Sequence, residues 1–312
     1  MPTYRPFALS LNWDSIAAAV HVPDVTKLDS NLNPEMVAEL VAQAAKPLHV
    51  AIKSIKPVMT VESFALATLL DSLGVVGLGF TGATNPGIIG YWQKFSDVGE
   101  PVAGSYQRSH TIHTGCCVPK RLTVDHQGDA KLELEVAAIK TTGNACIVLS
   151  DTAALPTIAV ASARWTLGPI KLNNVALTEY TKLEIDFGNT VEVIGSASDP
   201  YATHIEVKKH EPKIKMSGID PAWFGSSNVP IGGAVAANAT DYVILRKRSQ
   251  DGSHFVADGT AEHIKFSLAG LAAVGSQKGE AQRVSETELM LTLAVDASGN
   301  NPLVVDTTSA IS

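Results

Sequence analysis

Two histidines and two cysteines fall close together in the segment His110-Thr111-Ile112-His113-Thr114-Gly115-Cys116-Cys117. Imidazole and thiolate groups are the ligands that zinc prefers. However, side chains at odd spacings in a strand point to opposite faces, which separates His110 from His113 and Cys116 from Cys117. The pattern therefore favours buried thiols beside solvated histidines over a metal site, and we expect no metal and no other cofactor.

Other catalytic patterns are missing from the sequence. The glycine-rich segment Gly77-Leu78-Gly79-Phe80-Thr81-Gly82-Ala83-Thr84-Asn85-Pro86-Gly87 follows a predicted helix and lacks the Gly-Lys-Ser/Thr ending of a phosphate loop, so it predicts a flexible surface loop. There is no Gly-x-Ser-x-Gly, His-Glu-x-x-His or Cys-x-x-Cys motif. We expect no catalytic residues and a protein that is not an enzyme.

Charged residues occur in two kinds of cluster. Glu133 with Glu135, and Glu184 with Asp186, are two residues apart, which predicts that each pair shares the solvated face of a strand. The cationic cluster Leu245-Arg246-Lys247-Arg248 leads into a predicted turn. This cluster fits a contact with an acidic neighbouring subunit as well as a contact with nucleic acid.

The bulk composition restricts the partners and the compartment. A net charge of −7 argues against stable binding to DNA or RNA, which Lys and Arg drive by displacing counterions. The opening segment Met1-Pro2-Thr3-Tyr4-Arg5-Pro6 lacks secretory features, and no long apolar segment could cross a bilayer, so we expect a cytoplasmic protein. Three cysteines are an odd number, which predicts reduced thiols and no disulfide framework.

Helical patterns are few and lie in the first third of the chain. Asn33-Pro34-Glu35 supplies an N-cap, a first-position proline and an acid, which predicts an amphipathic helix to about residue 45. A second predicted helix begins with Thr60 as its N-cap and ends at Gly74. A weaker helical pattern covers residues 15–20.

Most of the remaining chain alternates apolar and polar residues between turn-forming pairs, which is typical of strands. Residues 132–136 and 289–293 each predict a strand with one apolar face. The predicted hairpins join 183–187 to 190–194 across Gly188-Asn189, 170–172 to 175–177 across Asn173-Asn174, and 242–247 to 255–256 across Asp251-Gly252. The predicted fold class is therefore mainly β, of sandwich or barrel type, with few short α-helices.

The chain also matches itself at a fixed offset. His49-Val50-Ala51-Ile52-Lys53-Ser54-Ile55-Lys56-Pro57 matches His204-Ile205-Glu206-Val207-Lys208-Lys209-His210-Glu211-Pro212, an offset of 204 − 49 = 155 residues. Val25-Thr26-Lys27-Leu28-Asp29 matches Tyr180-Thr181-Lys182-Leu183-Glu184 at the same offset, 181 − 26 = 155. Such self-similarity predicts two related halves, with one β domain over residues 1–155 and a second over residues 156–312.

The second half has a recognisable order of strands and turns. Leu155-Pro156 through Ile170 and the Asn173-Asn174 turn are followed by Leu183-Glu184-Ile185-Asp186-Phe187-Gly188, by Pro200 through Pro212, and by Glu262-His263-Ile264 through Gly270. This order resembles the tail tube proteins of long-tailed bacteriophages. The resemblance covers most of the second half and, through the internal match, part of the first.

The resemblance implies small β-sandwich domains flanked by a helix, whose strands join those of neighbours into a continuous β-barrel. With a duplicated tube domain, three chains would form a pseudo-sixfold ring, and stacked rings would form the tube through which viral DNA passes during ejection. The expected partners are other copies of the chain, other tail proteins and DNA in transit, without membrane insertion. The expected location is the virion tail, after assembly in the host cytoplasm.

Three other functions remain open from the sequence. Another virion component, such as a capsid, decoration or distal tail protein, would share this composition. A duplicated hot-dog-like enzyme would need a long central helix in both halves. A carbohydrate-binding module would need clustered exposed aromatic residues, whereas Trp92, Trp165 and Trp223 are scattered in the sequence.

Overall fold

The computed structural model describes residues 3–39, 49–140, 145–158, 163–173, 175–195, 200–219, 234–235, 241–249, 255–278, 286–295, 299 and 301–311. The fold is mainly β, as the alternating sequence predicts, with a single α-helix in the described ranges.

The described residues of the first half form twelve strands and the helix. They are β1 (Thr3–Asn12), β2 (Val20–Val22), β3 (Val25–Asn31), β4 (Pro34–Glu39), β5 (His49–Ile55), β6 (Val58–Ser63), α1 (Leu66–Leu73), β7 (Leu78–Thr81), β8 (Gly87–Phe95), β9 (Gln107–Ile112), β10 (Thr114–Asp125), β11 (Lys131–Ala138) and β12 (Val148–Ala153).

The second half also forms twelve strands in its described ranges. They are β13 (Trp165–Leu172), β14 (Val175–Leu177), β15 (Tyr180–Asp186), β16 (Asn189–Gly195), β17 (Ala202–His210), β18 (Lys213–Gly218), β19 (Ala234–Val235), β20 (Tyr242–Lys247), β21 (His263–Leu268), β22 (Leu271–Lys278), β23 (Glu286–Leu293) and β24 (Leu303–Ser309).

These strands form three large antiparallel sheets and two separate hairpins. The first outer sheet has the order β12-β9-β8-β1-β2, and the second outer sheet has the order β14-β13-β20-β21-β24. The central sheet runs β19-β22-β23-β18-β15-β10-β11-β6-β3, with β7 also paired to β10. We call the β4–β5 hairpin the first arm and the β16–β17 hairpin the second arm. None of these sheets closes on itself within the described residues.

The core lies between the central sheet and the two outer sheets. Strands of the central sheet bury alternate residues, such as Leu132 and Leu134 of β11, because the side-chain period of a strand is two. The first outer sheet approaches the central sheet closely at Gly90 of β8, where an added Cβ would lie 3.0 Å from the side chain of Leu28 in β3. Each fully buried Leu or Val contributes about 1.5–3 kcal/mol to folding, so this alternation is what fixes the strand register.

The strand pairings of the first half recur in the second. The order β2-β1-β8-β9-β12 has its counterpart in β14-β13-β20-β21-β24, and β3-β6-β11-β10 has its counterpart in β15-β18-β23-β22. In β3–β6, Leu28 pairs with Val61, and in β15–β18, Leu183 pairs with Met216. Both residues of the second pair follow those of the first by 155 positions (183 − 28 and 216 − 61).

Irregular features recur at the same offset. A β-bulge lies between Val25 and Lys27 in β3, and another lies between Tyr180 and Lys182 in β15. Positive φ angles occur at Asp24 (54°) and at Glu179 (56°), as well as at Asn33 (42°) and Gly188 (60°). An L-residue rarely adopts a positive φ, so matched positions indicate the same local backbone path. A common origin of the two halves stays a prediction.

The first predicted helix is wrong. Residues 34–39 form strand β4, which pairs with β5 through Met36 and Ile52. Residues 40–45 lie outside the described part of the chain. The N-cap pattern of Asn33-Pro34-Glu35 is a local preference, and cross-strand pairing overrides it.

The second predicted helix is right at its end and wrong at its start. Helix α1 ends before Gly74, which has a φ of 62°, as the sequence predicts. Thr60 instead belongs to β6, and the Ser63 hydroxyl accepts a hydrogen bond from the Ala65 N–H just before α1. Residues 15–19 form turns and irregular chain, and Val20 begins β2, so the third predicted helix is also wrong.

The predicted hairpins have mixed outcomes. The Asn173 turn is confirmed, because Leu172 pairs with Val175. Residues 183–186 and 190–194 lie in strands, and Phe187 follows the first of them. The two strands do not pair with each other, since β15 pairs with β10 and β18, and β16 pairs with β17. The strand 242–247 is confirmed, and an Arg248–Phe255 bridge lies beyond it, while 251–254 are outside the described residues.

Candidate assembly surface

The two halves meet inside the central sheet, where the last part of β10 pairs with β15. Leu122 pairs with Ile185, and both side chains are fully buried. On the opposite face, Arg121 pairs with Asp186 and Asp125 with Lys182, so unlike charges stand across from each other. One sheet therefore contains strands from both halves. The predicted domain boundary between residues 155 and 156 stays a prediction.

Ion pairs and backbone contacts reinforce this junction. The half-buried Arg164 guanidinium lies 2.8 Å from the Asp24 carboxylate, and Arg248 lies 3.0 Å from the carboxylate of Asp129. The Ala130 N–H also donates to the Trp165 carbonyl oxygen at 2.7 Å. Each half thus supplies both polar and backbone groups to the other.

The cationic cluster of residues 245–248 takes part in pairing within the chain. Arg246 pairs with Asp258, Lys247 with Glu262, and Arg248 with Asp129 of the first half. Acidic residues of the same chain thus contact this cluster, and its contact with a neighbouring subunit or with nucleic acid stays a prediction.

The second arm lies on the first half. The buried Asn189 side-chain amide donates to the carbonyl oxygens of Val75 (2.9 Å) and Pro119 (2.8 Å). The Lys120 ammonium donates to the Asn189 carbonyl oxygen at 3.0 Å, and the Lys140 N–H donates to the Ala202 carbonyl oxygen at 2.9 Å. Sequence reasoning missed Asn189, whose only sequence signal is its place in a predicted turn.

The ends of the central sheet contrast with this junction. At one end, β3 pairs with β6, and its other edge has no partner strand in the described ranges. At the other end, β22 pairs with β23 throughout, whereas β19 covers only Leu271 and Ala272. On the edge that faces away from β23, the backbone N–H and C=O groups of residues 273–278 therefore have no partner strand among the described residues. Open edges of this kind are templates for pairing with another chain.

One face of the central sheet packs on the core, and the other carries charges arranged in cross-strand rows. One row runs from Lys27 through Glu62, Glu133 and Arg121 to Asp186. Arg121 lies 3.0 Å from Glu133 and 3.7 Å from Glu184, and the hydrogen bond that the Arg121 guanidinium donates to the Glu133 carboxylate raises the pKa of Arg121. Both predicted acidic pairs, Glu133 with Glu135 and Glu184 with Asp186, lie on this face.

The charges on this face are nearly balanced. The described cations are Lys27, Lys120, Arg121, Lys131, Lys182, Lys213 and Lys215. The described anions are Asp29, Glu62, Asp125, Glu133, Glu135, Glu184, Asp186 and Glu288. Seven cations and eight anions leave a formal charge of −1 (7 − 8). Exposed ion pairs contribute only about 0–1 kcal/mol each. These rows of charges therefore determine the charge of the surface more than the stability of the fold.

The histidine and cysteine cluster is divided between different environments. The Nδ1 atom of His110 lies 2.5 Å from the Ser30 hydroxyl and the imidazole packs on Trp92, with ring centroids 4.2 Å apart. Burial lowers the pKa of His110 and raises the pKa of Cys116 to about 11. Cys117 is fully buried as well. No group of three metal-ligating side chains comes together in the described residues.

The glycine-rich segment is only partly a loop. Leu78–Thr81 forms β7, so the prediction of a surface loop is wrong for those residues. In the adjoining turn, the backbone N–H groups of Ala83, Thr84 and Asn85 all donate to the Asp14 carboxylate at 2.9–3.0 Å. These bonds lower the pKa of Asp14. The protein's own carboxylate thus takes the place that an anion would occupy on such a turn.

Two further observations bear on function. Across the described ranges, no helix is long and apolar enough to cross a membrane. No known protein family matches the chain, and no curated protein matches its sequence.

Proposed function

We propose that the protein is the structural subunit of a bacteriophage tail tube, which assembles by pairing the two open ends of its central sheet. The single observation that carries the proposal is that these ends are equivalent to the two strands that meet at the junction between the halves. The resemblance of the strand order to tail tube proteins supports the same assignment.

The equivalence follows from the strand register. Ser276 pairs with Glu288 in β22–β23, as Arg121 pairs with Glu133 in β10–β11, and both residues differ by 155 (276 − 121 and 288 − 133). Strand β3 is likewise equivalent to β15. Since β10 pairs with β15 in the chain, β22 of one copy would pair with β3 of a second copy.

The junction also defines the register of this contact. Arg121 pairs with Asp186, so Ser276 would stand opposite Asn31 of a second copy (186 − 31 = 155). Thr123 pairs with Glu184, so Lys278 would stand opposite Asp29 of a second copy. A lysine opposite an aspartate is a favourable cross-strand pair, as are the unlike charges at the junction.

Such a contact joins two different surfaces, so copies add head to tail until a ring closes. Eight strands of each copy belong to the continuous sheet: β22, β23, β18, β15, β10, β11, β6 and β3. Three copies would close 24 strands (3 × 8) into a barrel. With strands about 4.8 Å apart and a tilt of about 40°, the barrel would measure about 48 Å between backbones. A barrel of this size has an aqueous lumen.

The charged face would line the lumen, because the opposite face is packed on the core. The described side chains of this face sum to −1 per copy and provide no basic groove to hold a phosphate backbone, so viral DNA would pass without specific binding. In this assignment the protein is not an enzyme and needs no cofactor. It resides in the virion tail after assembly in the host cytoplasm, and its other partners are tail proteins.

The second candidate is another virion structural protein, such as a capsid, decoration or distal tail component, because open sheet edges also serve other assemblies. The hot-dog-like enzyme is disfavoured, since α1 has eight residues and is the only helix in the described ranges. Trp92 and Trp165 are buried, which disfavours a carbohydrate-binding surface at those residues.

Electron microscopy of the purified protein at high concentration tests the proposal. Hollow tubes built from rings of three copies would support it. Closed shells would favour the second candidate, and a protein that stays monomeric at every concentration would contradict assembly through the sheet ends.

A disulfide trap tests the register directly. Cysteines at Ser276 and Asn31 should link neighbouring copies, because paired positions in a sheet lie within disulfide reach. Cysteines at Ser276 and Ser30 are the matched control, since Ser30 faces the core side of the sheet and should link poorly. Equal linking by both pairs would contradict the proposed register.

A further inference from the structure

The two arms have the same strand register but different surroundings. Met36 pairs with Ile52 in the first arm, and Val191 pairs with Val207 in the second, which is again an offset of 155 (191 − 36 and 207 − 52). The β-bulge also recurs, between Glu35 and Met36 and between Thr190 and Val191. The arms are therefore equivalent hairpins.

Apolar residues of the first arm and of the segment leading to it are exposed, whereas their equivalents are covered. Leu32 is 49% exposed, and its equivalent Phe187 (187 − 32 = 155) is fully buried. Met36 is 62% exposed and Ile52 is 51% exposed, while Val191 and Val207 are partly buried. Exposed apolar groups at equivalent positions indicate a missing cover.

The cover of the second arm is the end of the first half. Val75 and Pro119 accept the hydrogen bonds of Asn189, and strands β7 and β10 contact β17. Ile205 of the second arm borders a groove that also contains Phe80 and Gly115.

The equivalent end of the second half has a suitable composition. Phe80 pairs with Gly115 between β7 and β10, and Val235 pairs with Leu271 between β19 and β22. The residues at this end are apolar or small: Ala234, Val235, Ala269, Gly270, Leu271 and Ala294. This composition suits an apolar arm, because contact would remove the exposed Leu32, Met36 and Ile52 side chains from water.

We propose that the first arm of each copy packs on the second half of a neighbouring copy, at the end formed by β19 and β22. This inference rests on the proposed function, because that neighbour is the copy whose β22 pairs with β3. Within the chain, the second arm and β15 both contact the first half. Their equivalents, the first arm and β3, would both contact the second half of the same neighbouring copy. The edge and the arm then form a single continuous interface.

Two substitutions on opposite faces of β5 test the arm contact. Ile52→Glu places a charge on the proposed contact face and should raise the concentration needed for tube formation at least tenfold. Ala51→Glu is the matched control, because adjacent residues of a strand face opposite sides and the equivalent position already has Glu206. Ile52 is exposed in the single chain, so both variants should keep the melting temperature of the unassembled protein.

Thiol labelling separates this inference from the ring proposal. A cysteine at Ile52 should react with maleimide in the unassembled protein and be protected at least tenfold in tubes, while a cysteine at Ala51 should react in both. The native thiols Cys116, Cys117 and Cys146 are buried and give little background. Normal tubes in which the Ile52 position still reacts freely would overturn the arm inference alone. Failure of the unmodified protein to form rings would instead overturn the proposed function on which the inference rests.

Discussion

The junction between the halves and the ends of the central sheet consist of equivalent strands in opposite situations. At the junction, β10 and β15 pair over five residues of each strand, with buried Leu122 and Ile185 on one face and unlike charges on the other. At the ends, the equivalent strands β22 and β3 have open edges within the described residues. The comparison teaches that the chain pairs one set of these strands and leaves their equivalents open, and the assembly proposal is that the open strands pair between copies.

The largest expected effect follows from blocking one open edge. The Phe187 N–H donates to the Lys120 carbonyl oxygen across the junction. Backbone N–H groups two residues apart in a strand point to the same side, so the N–H of Ile185 also points toward β10. The N–H of the equivalent residue Ser30 therefore points toward the open edge of β3. Ser30→Pro removes that donor and should abolish rings, with at least a hundredfold rise in the assembling concentration by analytical ultracentrifugation. Proline is tolerated on an edge strand where its nitrogen faces outward.

The control for this substitution is Ser30→Ala. It removes the hydroxyl that contacts His110 but keeps the backbone N–H, so it should assemble normally. If Ser30→Pro still forms rings while the monomer fold is intact, β3 is not the assembling edge.

A second prediction weakens the satisfied interface. Asn189→Ala leaves the carbonyl oxygens of Val75 and Pro119 without their donor, and each unsatisfied buried group costs about 1–3 kcal/mol. The free energy of unfolding, measured with urea, should fall by about 2–6 kcal/mol. The exposed neighbour Thr190 provides the control, since Thr190→Ala should change stability by less than about 0.5 kcal/mol. Equal effects of the two variants would show that Asn189 does not secure the second arm.

A smaller effect should come from the charges at the open ends. Lys278→Glu would place two acids across the proposed contact with Asp29, costing about 0.4–1 kcal/mol, or a two- to fivefold rise in the assembling concentration. Adding Asp29→Lys to this variant should restore assembly. Added salt should reduce the difference in assembling concentration between Lys278→Glu and the unmodified protein, because it screens the charges. A double variant no better than the single one would contradict this register.

The smallest expected effect is the pH dependence of the second arm. The Nδ1 atom of His210 lies 2.8 Å from the Asn189 side-chain oxygen, and Nε2 is buried with no hydrogen-bond partner among the residues that the structure describes. Burial lowers the pKa of the imidazole below 6.5. A lowered folded-state pKa means that the stability contribution is complete above pH 6.5 and is lost as the pH falls through the folded value.

Melting temperatures of the unassembled protein between pH 7.5 and 5 check this expectation. The unmodified chain should lose more stability than His210→Gln over that range. The first arm has Ile55 at the equivalent position, so no such titration arises there (210 − 55 = 155). Parallel curves for the two proteins would show that His210 does not sense pH.

Local sequence patterns predict the strands well and the helices poorly. The alternation in residues 132–136 and 289–293 specifies strands with one buried face, because each side chain's environment follows from a period of two. Asn33-Pro34-Glu35 has the features of a helix start, yet β4 forms there, since pairing with β5 outweighs a preference of less than about 1 kcal/mol per residue.

The candidate surface could be predicted only in part. The offset of 155 residues identified equivalent segments, and the spacing of Glu133 and Glu135 placed both on one polar face. The hairpin across Gly188-Asn189 was wrong because two adjacent strands can each find a partner elsewhere, and no turn signal distinguishes these outcomes. Asn189 was missed because its hydrogen-bond partners, Val75 and Pro119, are 70 or more residues away.

The sequence by itself determined the strand-rich composition, the alternating faces and the repeated register at an offset of 155, because these depend on neighbouring residues and on comparison along the chain. Only the tertiary structure decided that β10 pairs with β15. It also decided that, among the described residues, apolar side chains are covered in the second arm but exposed in the first, and that β3 and β22 have open edges. Those outcomes depend on contacts between distant segments, in which many strands of similar composition compete for the same hydrogen bonds.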